Sequence, residues 1–565
     1  MFFRSKSDGA RTYLQLVQNQ WIAGRSRQRV VATIGRMDHL QESGHIEALV
    51  RSAAKFSEKM IVLTAHEKGQ SATITTKRVG PGLIFERLWK ETGCRDELKA
   101  LVRDRKFLFD VERVVFLTVL SRLVHPGSDR QWERWQEDYV LEGCEQISLH
   151  HYYRAMAWLG EEREEQTDAL PFAPRCTKDR IEEGLFLRRR NLFSSLELVF
   201  FDTTSLYFEG EGGERLGERG YSKDHRPDLK QMVLGVVLDN EGRPVCCEMW
   251  PGNTTDVKTL SPVVERLEKR FGIHRVCIVA DRGMISQASI EELESKHRQW
   301  DYILGVRMRK AVEVKGEVLS RAGRYQVVYP AKEHSKSPSP LKVKEVKVEG
   351  RRYIVCHNED QARKDEADRE AIVAALEEQL TRGEKSLVGN KGYRKFLKRK
   401  GTEQGFEIDR EKVEQEARYD GKWVLRTNRE DWGADTVAVK YKQLLEVEYL
   451  FRCAKSMLET RPVYHKRDET IRGHVFCSFL ALVLMKELHD RLEAKGLKVE
   501  WADIIRDLDR LQEVEIEQDK KRFVLRTQAQ GSCGKIFQAV GVALPPTLRQ
   551  VKTENSANEG PPGHC

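Results

Sequence analysis

The spacing of apolar positions changes period several times along the chain. Near the start, Tyr13–Val17 and Arg29–Ile34 alternate apolar with polar residues around Arg25, Arg27 and Arg29, which predicts a small basic hairpin. Apolar residues then recur at helical spacing over about 110–123, closed by Pro126, over 149–159 and over 178–193. From Leu196 the period becomes that of strands. An apolar run Leu198–Phe201 precedes a glycine-bearing loop over 210–220, and the runs 229–238 and 244–250 flank the turn Asp239-Asn240-Glu241-Gly242. A helix over 256–271, a strand over 276–280, a helix over 286–295 and a strand over 302–306 follow. In this order the first three strands are antiparallel, and the first and fourth can lie side by side and parallel.

Downstream, 311–356 is basic and strand-rich and 361–382 reads as a charged helix. One helix is expected from Asp435-Thr436, either of which could cap it, to Thr460, just before Arg461-Pro462; Leu444, Val447, Phe451, Ala454 and Leu458 form its core stripe. A basic loop, 461–467, leads to a strongly apolar helix over 469–492. Its greasiest part, Val475–Met485, is shorter than the ~20 residues that a membrane span needs, so no membrane association is expected. The pattern is that of a multidomain α/β protein: 1–190 a hairpin plus a mostly helical region, 195–307 the first part of an α/β domain, 308–422 a basic β-rich insertion, 423–495 the second part of that domain, and 496–565 a helix and strand pair ending in a loose tail.

Composition narrows this modestly. The 565 residues exceed what one core organises, about 250–300. Charged residues are 33% and hydrophobic ones 40%, which fits a folded chain with a charged surface. Lys plus Arg number 97 and Asp plus Glu 88, a net charge of +9 that permits a polyanionic partner without requiring one. The 11 cysteines include no Cys-x-x-Cys pair, which suits reduced thiols in a cytoplasm; Cys356-His357 has no second half for a zinc site. No apolar stretch follows Arg4 and Lys6, so no signal peptide is expected. Positive charge is concentrated in Lys391, Tyr393, Arg394, Lys395, Phe396, Lys398, Arg399 and Lys400, where interleaved basic and aromatic side chains could pair with phosphates and stack on bases. A solvated helix face is the plainer reading of such a run. Arg188-Arg189-Arg190 likewise reads either as a charge-complemented helix C-terminus or as a DNA contact.

Chemistry is suggested by three carboxylates. Asp202 ends the run Leu198–Phe201, and Asp281 ends Val276–Ala280; parallel strands would bring both to the carboxyl edge of the sheet, where ligands of open α/β sheets collect. Glu448 lies on the 435–460 helix with Tyr441 and Lys455 seven residues to either side, a stripe roughly 90° from the apolar one, with Arg452 beside it. Carboxylate oxygens on separate rigid elements suit the hard divalent cations that drive phosphoryl transfer, and the matching substrate is a phosphodiester. His474 reads as a satisfied core histidine or, less simply, as a ligand.

At Phe201-Asp202-Thr203-Thr204, Gly220–Asp228, Trp250-Pro251-Gly252-Asn253-Thr254, Ala280-Asp281-Arg282-Gly283-Met284 and the Glu448 helix, the chain resembles the bacterial insertion-sequence transposases of the DDE class. The resemblance implies a ribonuclease H-like core with a β-rich insertion before the catalytic Glu. It implies that Asp202, Asp281 and Glu448 hold two Mg2+ ions, replaceable by Mn2+, for cleavage at the element's ends and strand transfer into target DNA. Lys223, Arg226, Tyr441, Lys455 and the insertion's basic residues would hold DNA. The family's Arg four residues before the Glu is Leu444 here, so Arg452 or Arg461 would have to take its role. Double-stranded DNA carrying terminal inverted repeats, target DNA, a homodimeric synaptic complex and a cytoplasmic, nucleoid-associated location follow from the same resemblance. A ribonuclease H-like structure-specific nuclease and a catalytically silent DNA-binding derivative are the alternatives.

Overall fold

A computed structural model of the chain describes residues 2–9, 11–22, 25–46, 48–49, 73–103, 105–144, 146–166, 173–190, 197–273, 276–284, 286–295, 300–328, 341–382, 395–399, 405–518 and 521–551. These fall into two units, one built from Met1–Ile84, Trp135–Leu141 and Leu492–Cys565, the other from Phe85–Arg134 and Glu142–Arg491.

In the first unit the expected N-terminal hairpin gains a third strand. Phe2–Asp8, Arg11–Ile22 and Arg25–Arg36 form an antiparallel sheet whose register shifts twice in the second pairing. The strand Thr73–Arg78 pairs with Gln512–Gln518, so residues far apart in sequence share a four-stranded sheet completed by Lys521–Arg526 and Leu548–Val551.

The second unit is organised by a nine-stranded sheet. Its strands in chain order are β1 (Leu198–Tyr207), β2 (Gln231–Asp239), β3 (Pro244–Pro251), β4 (Cys277–Ala280), β5 (Asp301–Gly305), β6 (Gln326–Val328), β7 (Leu341–Val348), β8 (Arg351–Asn358) and β9 (Lys422–Thr427). They lie in the order β6-β7-β8-β9-β5-β4-β1-β2-β3. β1, β2 and β3 are antiparallel, whereas β4 runs parallel to β1 and β5 parallel to β4. That sequence of directions, 3-2-1-4-5, is the ribonuclease H-like topology. β2, β3 and β4 are buried almost without interruption, as strands covered on both faces must be. Residues 308–422 contribute β6, β7 and β8 to this same sheet. Joined through β9, these strands cover what would otherwise be the open edge of β5.

Helices at Val111–Val124, Leu149–Leu159 and Thr177–Arg189 stand close to where the apolar spacing puts them. The last of these, α1, is fastened to α2 (Leu260–Phe271) and to β3 by buried charges. Arg270 donates to Glu182 at 2.5 Å, Glu248 at 2.9 Å and Glu183 at 3.1 Å. Arg266 donates to Asp179 at 3.0 Å, and Lys178 to Asp179 at 2.6 Å and to the Cys247 carbonyl at 2.7 Å. Lys178, Arg266 and Arg270, with Arg175 on Glu183 at 3.0 Å, balance Asp179, Glu182, Glu248 and Glu183, so the desolvated charges cancel. α2 leads directly into β4, and this network fixes the element that delivers Asp281.

The helix expected over 435–460 is divided. α3 (Ala434–Lys442) and α4 (Leu445–Arg452) are followed by a π-helical turn, Cys453–Met457. Bonds from the Leu444 amide to Tyr441 and from the Val447 amide to Leu444 tighten the chain between α3 and α4, and the bond from Leu458 to Cys453 widens it afterwards. Leu444, Val447, Phe451, Ala454 and Leu458 are nevertheless all buried. The apolar helix at 469–492 is α5 (Asp468–Ala494), and no helix among the described residues is long and apolar enough to cross a membrane.

Replacing Arg270 with Met should leave Glu182 buried without its main partner and Glu248 with Arg266, and cost about 3–5 kcal/mol of stability. Urea unfolding followed by tryptophan fluorescence measures this, and a loss below about 1 kcal/mol, the range of an exposed pair, would contradict the network's role.

Candidate active site

Phe201 of β1 pairs with Ala280 of β4, and the next residue on each strand is an aspartate. Asp202 and Asp281 therefore stand at one level of the sheet. The Thr203 amide donates to Asp202 Oδ1 at 2.7 Å, and the Tyr441 hydroxyl to Asp281 Oδ1 at 3.1 Å. Burial, then Asp281, raises the Tyr441 phenol far above its usual range, so it stays a donor. α4 packs against β1 and carries Glu448 in its first turn. Partial desolvation, then the charge of Asp281, raises the Glu448 carboxyl, while Arg452 one turn on lowers it. Asp202 is pushed up to about 7, chiefly by burial, with Asp281 and Asp256 adding to the shift and Lys223 opposing it. Asp281 thus bears electrostatically on both Asp202 and Glu448.

Asp256, where the apolar spacing predicts only the start of a helix, is a fourth carboxylate. It accepts from the Thr203 hydroxyl at 2.7 Å and pairs with Lys223 at 3.2 Å. The signal was its position five residues beyond β3, which runs in the same direction as β1 and so ends at the same sheet edge. Gly283 keeps space between two of the acids: a Cβ there would lie 3.3 Å from Asp256 Oδ2 and 3.9 Å from Asp281 Oδ2.

The residues expected to contact DNA separate into two groups. Lys223 Nζ donates to the Thr203 carbonyl at 2.7 Å and its hydroxyl at 2.9 Å in addition to the Asp256 pair. Lys455 donates to Asp224 at 2.8 Å, and Arg461 lies 3.5 Å from the same carboxylate. Burial lowers the Lys455 ammonium, opposed by Asp224. Arg461 and Arg226 both lie over the Tyr207 ring, at 5.3 and 5.5 Å, and Arg226 forks onto Asp228. With Tyr441 and the exposed Arg452, these surround the sheet edge. Leu444 is buried in the core stripe and is not available to DNA.

The second group is the basic run of the insertion. Leu397–Arg399 pairs with Phe406–Ile408 as a short hairpin, in which Lys398 faces Glu407 at 3.4 Å and Arg399 is exposed. Phe396 does not join a stacking surface as expected: it is buried with Leu376 in a small core. Lys391, Tyr393, Arg394 and Lys400 lie outside the described residues.

Asp129, His465 and His474 also bring ligand-type atoms within 4.8 Å of one another. His474 Nε2 donates to the Thr460 carbonyl at 3.0 Å, and its Nδ1 accepts from Arg122 at 3.1 Å. Burial, then Arg122, keeps both imidazoles neutral, His465 at about 4. With one cation, one carboxylate and two neutral rings the cluster is charge-balanced, and His474 is a satisfied core group.

This topology, with one acid midway along its first strand, level with a second just past the end of its fourth, defines a class, and comparison agrees. Residues 194–484, just over half of the chain, match the transposase DDE domain, and the chain belongs to the DDE transposases. Residues 3–67 match the N-terminal domain of IS1634 family transposases. Such transposases act on DNA and in general use divalent metals. Among solved structures, a piggyBac transposase synaptic complex with hairpin DNA aligns at 12% identity over 76% of this chain and 79% of that one, with a TM-score of 0.37. No curated protein matches the chain significantly.

Because folding raises Asp202 from an ordinary 3.8 to about 7, its contribution to stability is fully present below about pH 4 and is lost as the pH rises through 7. Asp202→Asn should therefore melt higher than the wild type at pH 8 in EDTA, with little difference at pH 4. Calorimetry at both values checks this; a variant less stable at pH 8 would contradict the burial of a charged carboxylate at Asp202.

Proposed function

We propose that the chain cleaves DNA at the ends of its own insertion sequence and joins the freed 3′ ends to target DNA, with Asp202, Asp281 and Glu448 as the catalytic, metal-holding carboxylates. The observation that carries this reading is the parallel pairing of β1 with β4, which sets two carboxylates side by side beneath α4. The donor set fits hard divalent cations: its atoms are carboxylate oxygens on three separate elements, and burial, with the charge of Asp281 added to it, already raises Asp202 and Glu448. Two Mg2+ ions, or Mn2+ in their place, would supply Lewis-acid activation of the attacking oxygen and stabilisation of the leaving one.

The protein's own groups bind and orient. Asp202 within β1 and Asp281 just past β4 face the scissile phosphate from the rigid sheet, and Tyr441 fixes the Asp281 carboxylate through its hydroxyl. Lys455 and Arg461 converge on Asp224, where a phosphate of the DNA backbone can replace the carboxylate, so Arg461 supplies the cationic role absent at Leu444. Arg226 and Arg452 extend the basic rim. Lys391, Tyr393, Arg394, Lys398, Arg399 and Lys400 hold a more distant stretch of duplex. Two protomers bring the inverted-repeat ends together in the synaptic complex.

Asp281→Asn and Glu448→Gln should each retain binding to terminal-repeat DNA while metal-dependent nicking falls by several orders of magnitude. Gel assays of nicking and of 3′-end joining check both steps. Nicking of branched substrates without joining would favour a structure-specific nuclease, and wild-type binding with neither step a silent derivative.

Replacing Lys398, Arg399 and Lys400 together with Ala should weaken duplex binding and reduce its salt slope by up to about 0.9 per lost phosphate contact. Fluorescence anisotropy at several salt concentrations measures the slope; an unchanged value would return this hairpin to the solvated surface.

A further inference from the structure

Lys223 has the sequence position of a DNA-phosphate contact, but its surroundings are those of an internal group. An ammonium offers three protons. Three acceptors surround this one: the Thr203 carbonyl at 2.7 Å, the Thr203 hydroxyl at 2.9 Å and Asp256 Oδ2 at 3.2 Å. Its backbone is tied as well, since the Lys223 amide donates to the Ser205 hydroxyl at 2.9 Å. Close chain approach holds the loop down: a Cβ on Gly220 would lie 1.9 Å from the Gly252 carbonyl oxygen.

Asp256 is anchored from its other side. Its carbonyl accepts from the Thr259 hydroxyl at 2.7 Å, at the start of the helix whose Arg266 and Arg270 join the buried charge network. Its carboxylate accepts the Thr203 hydroxyl proton through one oxygen and faces Lys223 through the other. Thr203 is the neighbour of Asp202, and its amide holds the Asp202 carboxylate. A chain of direct contacts therefore runs from α2 through Asp256 to Thr203, Lys223 and Asp202.

We propose that Asp256 is a positioning residue that holds Lys223 on Thr203, so that the Lys223 ammonium stands beside Asp202 as a resident counter-charge and leaves the carboxylate open to a divalent cation. This rests on the reading of Asp202 as a metal-holding residue. Without the Asp256 charge, the ammonium is free to swing onto Asp202 and compete with the cation. Asp256→Asn then weakens metal binding because of Lys223, and removing Lys223 as well should cure the defect. A purely structural role for Asp256 predicts no such rescue.

The test is calorimetric titration of Mn2+ into the full chain without DNA. Asp256→Asn should bind about 10-fold more weakly than wild type, the lower end of what loss of a supporting carboxylate costs a metal site, and the Asp256→Asn/Lys223→Met double variant should recover most of that loss. Equal affinity of wild type and Asp256→Asn, or a double variant as weak as the single one, overturns the proposal while leaving the metal reading intact. A wild-type chain that binds no Mn2+ overturns the metal reading and the proposal with it. Lys223→Met tests the same point without touching Asp256: its DNA-binding salt slope should equal that of wild type, and a decrease near 0.9 would make Lys223 a phosphate contact and overturn the proposal.

Discussion

The parallel pairing of Leu198–Phe201 with Cys277–Ala280 is the constraint on which the rest depends. Strand side chains alternate with a period of two, so slipping either strand by one residue would turn its aspartate to the other face. A slip in one direction would put Asp202 or Asp281 in the core places of Phe201 or Ala280 and bury a charge there. α2 and the charge network under it set where β4 begins. The position of the acids is thus decided by packing well beneath them.

Crowding carboxylates at a sheet edge is costly for the fold, and the surrounding structure limits that cost. Asp202 and Glu448 are held above their ordinary values, while Lys223 and Arg452 act in the opposite direction. Lys455 and Arg461 have Asp224 as a partner in place of solvent. Deeper in the unit, Lys178, Arg266 and Arg270 are matched to acids with little water between them. The outer charges can exchange partners for metal and phosphate; the inner ones cannot, because their replacements would have to be buried too.

Much of this was legible from period and punctuation. The α/β order and the helices at 111–124 and 149–159 follow from apolar spacing, which burial enforces directly, and the element order allowed the β1–β4 adjacency without requiring it. What escaped depends on tertiary partners. Asp256 looked like a helix start because its role arises from Thr203 and Lys223, about 50 and 30 residues away. The division between α3 and α4 leaves the apolar stripe intact and so has no mark in the pattern. Phe396 sits among basic residues, and only its packing against Leu376 reveals a core position. β6, β7 and β8 read as a separate basic region because strand propensity does not say which sheet a strand will join.

The central claim is that Asp202, Asp281 and Glu448 close around the same ions. A crystal structure of the chain with end DNA and Mn2+, phased to show the manganese by anomalous scattering, tests it most directly. The account predicts manganese peaks beside the middle of β1 and the carboxyl end of β4, with oxygens of Asp202, Asp281 and Glu448 at roughly 2.0–2.3 Å. Peaks elsewhere, or ions at that edge with Glu448 turned away to solvent, would contradict it.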